Sequence, residues 1–222
     1  MNLPMINSRL IARLAFLSAT CAIAAGCNND PAKGKTQATV GSASAPVTAA
    51  APVAGAVNYA FSNDGSKLEF VGAKVSAKHE GSFAAFRGSI AVVDADPTKS
   101  SVNAEIDIDS LTVEPAKLAG HLKSPDFFDA AKFPKGKFAS TAIKAGGENG
   151  ATHTVTGNLE LHGVTKAITF PAKIKVEAEQ VSVDAEFAIN RKDFAIVYPG
   201  MPDDLIKDDV LIKLALHGKK AP

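Results

Sequence analysis

Five side chains of this 222-residue chain carry groups that could work together chemically: His121, Ser124, Asp126, Asp129 and Arg191. A hydroxyl, an imidazole and a carboxylate are the parts of an activated nucleophile. If His121, Ser124 and Asp126 converge they could support hydrolysis, but no spacing assigns a nucleophile to a base, and the expectation is a protein that is not an enzyme. The histidines (His79, His121, His153, His162 and His217) show neither HxxxH nor HExxH spacing, so no metal site is expected. Asp203, Asp204, Asp208 and Asp209 crowd one short stretch. They lack the alternating order of a calcium loop and read as a solvated loop before the last strand. Dinucleotide fingerprint, P-loop and G-x-S-x-G elbow are all missing, and no cofactor is expected. The remaining functional capacity is apolar: twelve Phe against two Tyr and no Trp.

The N-terminus speaks for export. Residues 1–26 hold Arg9 and Arg13, no acid, and an apolar run from Leu14 to Ala25 broken only by Ser18, Thr20 and Cys21. That is the layout of a secretory signal peptide, and the run falls short of the roughly 20 residues a membrane-spanning helix needs. Ile23-Ala24-Ala25-Gly26-Cys27 resembles a lipobox, with Ala24 where Leu is usual. Removal of residues 1–26 leaves Cys27 as the lone thiol, unable to form an internal disulfide. Diacylation and N-acylation of Cys27, with palmitate-type chains, give it a role, since stable anchoring takes more than one acyl chain. Asn28 after the cysteine points to the outer membrane, facing the periplasm. Without the two arginines the mature chain has 22 basic and 23 acidic residues, so no nucleic-acid partner is expected. A homodimer stays open.

Residues 27–56 are rich in Ala, Pro, Ser, Thr and Gly, interrupted by Pro31, Pro46 and Pro52, and read as a flexible tether. A single domain over residues 57–220 follows. Its periodicity is two: in Val102–Asp109, Val181–Phe187 and Ile212–His217 apolar and polar side chains alternate, the mark of strands with one buried face. Noisier alternation places strands at 67–74, 82–93, 136–144, 152–162 and 165–176, eight in all, with 57–61 a short ninth. Turn residues at Asn63-Asp64-Gly65, Glu80-Gly81, Asp94–Pro97, Gly146–Gly150 and His162-Gly163 join them as antiparallel neighbours. Only 115–131 reads as helical, a cap for one end. Eight such strands make a sandwich or a closed barrel, and closure, which removes exposed edges, is preferred.

Along this domain lie motifs that resemble the YceI-like family: Lys67–Gly72, Phe83–Gly88, His121–Asp129 followed by Phe133-Pro134, Leu159–Lys166, and Arg191-Lys192-Asp193-Phe194. Ala195 stands where that family often has Gly. The resemblance, which runs from about Val57 to Gly218, implies an all-β, eight-stranded antiparallel lipocalin-like barrel with one short helical cap. It also implies a lumen that binds an isoprenoid or other long-chain acyl lipid. The ligand-facing candidates are Phe83, Phe86, Phe127, Phe128, Phe138 and Phe187, with Arg87, His121, His162 and Arg191 as polar contacts. Taken one by one the phenylalanines are ordinary core residues. As a set they can line a lumen, and an eight-stranded barrel is wide enough either to fill with side chains or to hold a ligand. Inward Ala104, Ala142 and Ala185 would leave room. A structural or stress-related envelope module with a filled barrel is the alternative.

Overall fold

The computed structural model describes residues 29–44 and 55–221; the expected signal peptide and Cys27 lie outside them. The elements are β1 (Thr39–Ser42), β2 (Val57–Ser62), β3 (Lys67–Ala73), β4 (Lys78–Phe83), β5 (Phe86–Val93), β6 (Asp96–Asp107), β7 (Leu111–Val113), α1 (Ala116–Lys123), β8 (Lys135–Ala145), β9 (His153–Leu161), β10 (Val164–Val176), β11 (Gln180–Asn190), β12 (Gly200–Met201), β13 (Asp204–Leu205) and β14 (Asp209–Lys220).

Six of these are halves of three long staves. β14 pairs with β2 through Lys219↔Ala60 and with β3 through Leu211↔Val71, so β2 and β3 lie end to end. Likewise β2 and β3 pair with β5 and β4, and these in turn with β6 and β7. The other staves are β8, β9, β10, β11 and β14, and the circuit closes from β14 back to β2–β3. The result is an eight-stave antiparallel up-and-down barrel. The stretch expected as a short ninth strand is the first half of the first stave. Breaks at 63–66, at Ala84-Ala85 and at the 3-10 turn Ile108–Ser110 let the staves bend around the barrel axis, as bulges and kinks do in curved sheets.

Two-residue hairpins join staves where both residues take positive φ, as a type I′ turn requires: His162 (51°) with Gly163 (73°), and Asp94 (56°) with Ala95 (55°). One end of the barrel is shut. There the buried Tyr59 donates its hydroxyl to the Glu177 carbonyl at 3.0 Å, beside Val92 and Val181. The other end carries α1, the β3–β4 turn and the long excursion from β11 to β14.

Three expectations need correction. The helix stops at Lys123 instead of running to 131, because Ser124 precedes Pro125 and is forced into extended backbone (ψ 169°). Ala142 does not face inward: the register of β8 against β9 shifts between Ser140 and Ala142, which turns Ile143 into the core in its place. The tether reading fails over residues 36–42. β10 and β11 pair only through Lys173–Val176 and Asp184–Val181, so they splay apart toward the open end. β1 fills the split, antiparallel to β10 from Thr39↔Thr169 to Ser42↔Lys166, while the Ala38 N–H donates to the Ala188 carbonyl at 2.8 Å. Ala38 is buried and Val40 packs on the core. Beyond β1, the buried Asn158 accepts from the Ser44 N–H at 3.2 Å. Small polar residues with little pattern of their own hide a strand whose partners lie more than a hundred residues away.

Ala195 ends the turn Arg191–Phe194 at φ 58°, ψ 19°, a left-handed conformation that costs a residue with a Cβ roughly 1–2 kcal/mol. Glycine would relieve that strain while giving back about 0.4–1 kcal/mol to the unfolded chain's freedom. Ala195→Gly is therefore expected to raise stability by about 0.5–1 kcal/mol in urea unfolding; a destabilised variant would contradict the strain.

Candidate functional site

The barrel is hollow. Its lumen is a cavity of about 740 Å³, walled by apolar side chains from every stave and open at the end that carries α1. Many inward residues, among them Phe83, Phe138, Ala104, Ile106 and Leu159, pack on the core and yet are only half-buried, because one side of each faces empty space. A barrel filled by its own side chains is thereby excluded for this chain.

Phenylalanines keep it open by lying flat on the wall. Phe61 stands opposite Gly88 and Phe70 opposite Gly81 on neighbouring staves. A Cβ on Gly88 would come within 2.2 Å of the Phe61 ring, one on Gly81 within 2.3 Å of Phe70, and one on Gly157 within 2.4 Å of Phe138. Each ring thus occupies the space a side chain would need, the aromatic covering of a strand glycine. Phe170 stacks on Phe187 with centroids 4.2 Å apart and planes 16° from parallel, and Phe138 tilts against Phe170 at 5.9 Å. The outcome is a smooth apolar tube rather than an interdigitated core.

Polar lining is confined to the mouth, where Lys74, His79, Lys117, His121, Arg191, Asp204 and Lys207 stand on the start of β4, the α1 segment and the two rim loops. The ring of His121 meets Phe127 and Tyr198 edge-on at 5.0 and 5.2 Å, and its Nε2 lies 3.1 Å from an Asp126 carboxylate oxygen. Phe127 is buried in this cluster, while Phe128 meets Phe83 edge-on at 6.2 Å. The Ser124 hydroxyl donates to the His121 backbone carbonyl at 2.8 Å, so it does not face the imidazole and the hydrolytic arrangement is not assembled. Among the described residues no three His, Cys, Asp or Glu side chains gather as a metal site would require.

Two clasps hold the rim. Arg191 is buried and binds the excursion that follows it: Nε donates to the Lys207 carbonyl at 3.1 Å, Nη1 to the Ile196 carbonyl at 2.8 Å, and Nη2 to Asp208 at 3.2 Å. Desolvation lowers its pKa, against the pull of Asp208. Farther out, Asp204 takes hydrogen bonds from the Lys74 ammonium and from the Ser76 N–H at 2.9 Å, tying the β12–β13 hairpin to the β3–β4 turn. The Lys74 bond, then the Ser76 bond, hold the Asp204 carboxyl down at about 2.

Of the ten ligand-facing candidates, Phe83, Phe86, His121, Phe127, Phe128, Phe138, Phe187 and Arg191 line the cavity. Two do not. Arg87 lies on the outer face, paired with Glu105 at 2.7 Å, because strand alternation sends it opposite to Phe86. The Nδ1–H of His162 donates to the Phe194 carbonyl at 3.1 Å and its ring packs on Phe133, so it fixes a corner outside the cavity. Phe61, Phe170 and Tyr198 also line the lumen. The alternation around Ile168-Thr169-Phe170 marked the second of these; nothing local marked Tyr198, which sits in the irregular rim.

A hollow, end-capped antiparallel barrel with an apolar lumen and a polar mouth belongs to the lipocalin-like class of containers. The YceI-like domain family matches residues 59–217, and the chain belongs to that family. It is 35% identical over 139 residues to a UPF0312 protein of Pseudomonas putida (strain W619), covering 60% of this chain and 71% of that one. A UPF0312 protein of Pseudomonas syringae pv. tomato is 33% identical over 165 residues, 70% and 84% of the two chains. Two solved structures share the fold. BcnA of Burkholderia cenocepacia superposes with a TM-score of 0.61 at 24% identity, over 70% of this chain and 97% of that one. A polyisoprenoid binding domain from Saccharophagus degradans gives 0.59 at 16% identity, over 74% and 99%.

Two expectations follow. Gly157→Ala should push Phe138 off the wall, costing about 1–3 kcal/mol of stability and reducing the uptake of an apolar fluorescent probe; unchanged uptake would contradict the flat-ring account. The clasp at Asp204 has a depressed pKa, so its contribution is whole above the unfolded value of about 3.9 and is lost as pH falls toward the folded one. The protection factor of the Val75 amide, whose N–H donates to the Leu205 carbonyl, should stay high at neutral pH and fall only in that acid window, after division by the intrinsic exchange rate, which itself slows toward acid. In Asp204→Asn the protection should be low already near neutrality.

Proposed function

We propose that this protein carries or stores a long apolar amphiphile, of isoprenoid or fatty-acyl type, with its tail in the lumen and its head at the mouth. The observation that carries this is the segregation of the cavity: an apolar tube of about 740 Å³ whose polar lining is confined to one end. Water inside such a tube finds few partners, and buried water needs two to four. A head group cannot enter a dry lumen unpaired, so it rests among His79, Lys117, His121 and Lys207. The polyisoprenoid binding domain that shares the fold supports the same ligand class. The site is that of a carrier and not of an enzyme.

We further propose that the carrier works at the cell envelope, held by an acylated Cys27 in the outer membrane facing the periplasm. The order of charged, apolar and small residues before that cysteine supports this. Cys27→Ser should leave unprocessed or soluble precursor; a variant that still partitions with membranes like the wild type would remove the anchor.

Chain length tests the ligand class. Fifteen or so buried methylenes at about 0.8 kcal/mol each give roughly 12 kcal/mol gross, from which association and ordering take about 4–15 kcal/mol. At the low end of that cost about 8 kcal/mol remains, an affinity near micromolar. In titrations with a graded series of prenyl and acyl compounds, affinity should climb with each added unit until the tube is full and then level off. A flat response would sink the carrier reading while leaving the fold untouched.

A further inference from the structure

Five large apolar side chains are strongly exposed among the described residues, and four of them ring the mouth: Val75 at 57%, Val197 at 62%, Met201 at 62% and Leu205 at 49%. The fifth, Val57 at 40%, begins β2 at the shut end. The four sit on two adjoining loops stitched into one surface. The Val75 N–H donates to the Leu205 carbonyl at 3.1 Å, Lys74 bridges to Ile206, and Gly200 and Met201 pair with Leu205 and Asp204. Pro199 and Pro202 are exposed in the same excursion. Proline at these places cannot feed a further sheet, so the hairpin is not an edge awaiting another strand. The Asp204 and Arg191 clasps hold it in place.

The N-terminal segment reaches the same rim. The Asn29 side-chain amide donates to the Val75 carbonyl at 3.1 Å. From there the chain passes the outside of β11, where Lys35 pairs with Glu186 at 3.0 Å, and inserts as β1. The described chain therefore enters the fold beside Val75, at the mouth and not at the far end.

We propose that this rim is a membrane-docking surface, and that the protein sits mouth-down on a phospholipid bilayer with Val75, Val197, Met201 and Leu205 dipped into the interface. The occupant is a lipid surface rather than a second copy, for two reasons. The patch surrounds the opening of an apolar lumen, so docking makes a path from acyl chains to cavity that avoids water, whereas a second copy would stopper it. The N-terminal segment is also pinned at that same rim, by Asn29 on Val75. Rim lysines Lys117 and Lys207 stand where phosphates would lie, their aliphatic stems able to rest along the apolar surface. The orientation rests on the carrier reading only for its purpose, the direct transfer of a lipid between bilayer and lumen.

The chain contains no tryptophan, so one placed by substitution reports alone. Leu205→Trp and, as the opposite-end control, Val57→Trp are made in the full chain. Each is reconstituted with vesicles of phosphatidylethanolamine and phosphatidylglycerol containing some lipid brominated on its acyl chains. Leu205→Trp should shift to the blue on vesicles and be quenched by the brominated chains, and Val57→Trp should do neither. Equal quenching at both ends, or at neither, overturns the orientation. A blue shift of Leu205→Trp that grows with protein concentration without vesicles overturns it in favour of a dimer. As a second measurement, Val197→Asp with Leu205→Asp, neither of which lines the cavity, should slow the transfer of a fluorescent prenyl lipid from vesicle to protein at least about tenfold, given what burial of one such side chain is worth. Occupancy at equilibrium should not change. Loss of occupancy in the wild type as well would instead count against the carrier reading, which keeps the two failures apart.

Discussion

An unfilled apolar lumen is the constraint to which the rest of this structure answers. At roughly 24 cal/mol per Å³ of empty volume, a dry void of 740 Å³ would cost about 18 kcal/mol, more than the roughly 5–15 kcal/mol by which a whole domain is stable. The lumen must therefore be occupied, by solvent that finds few partners or by an apolar chain that finds many. It must also be held open against collapse. Backbone closure around eight staves does the holding, because a closed ladder cannot contract without breaking hydrogen bonds all around the ring. The phenylalanines laid over Gly81, Gly88 and Gly157 then decide what faces inward: flat rings instead of interlocking side chains. The shut end under Tyr59 and the clasped rim give the tube a bottom and a fixed mouth.

The same constraint explains the seam. β10 and β11 diverge after four paired positions, and a split there would expose both the ladder edges and the lumen. β1 satisfies the edges and covers the opening with Ala38 and Val40. A segment upstream of the barrel is thus part of its wall. It also joins wall to rim, since the same stretch begins at Asn29 against Val75.

Much of the fold was legible because period-two alternation and hairpin residues are local signals; Val102–Asp109 and His162-Gly163 could be read without knowing their neighbours. The helix end, the bulge in β8 and the strand β1 were not. The first turns on Pro125 acting on the residue before it, the second on an inserted residue that flips the facing of Ala142, the third on partners far along the chain. In the site, Phe83, Phe86, Phe127, Phe128, Phe138, Phe187 and His121 were identified from composition and motif and do line the cavity. Arg87 faced away because alternation with Phe86 outweighs the appeal of a cation near a motif. Arg191 lines the cavity, but as the brace of the rim loop. Tyr198 and the apolar rim were invisible, since irregular loops carry no period from which facing can be read.

That the lumen holds a lipid is tested most directly by purifying the protein from its own host and weighing the intact complex by native mass spectrometry. The account expects one bound long-chain lipid per barrel, released by organic solvent and identifiable in the extract. A protein that weighs no more than its own chain, with solvent extraction yielding nothing in stoichiometric amount, would contradict it.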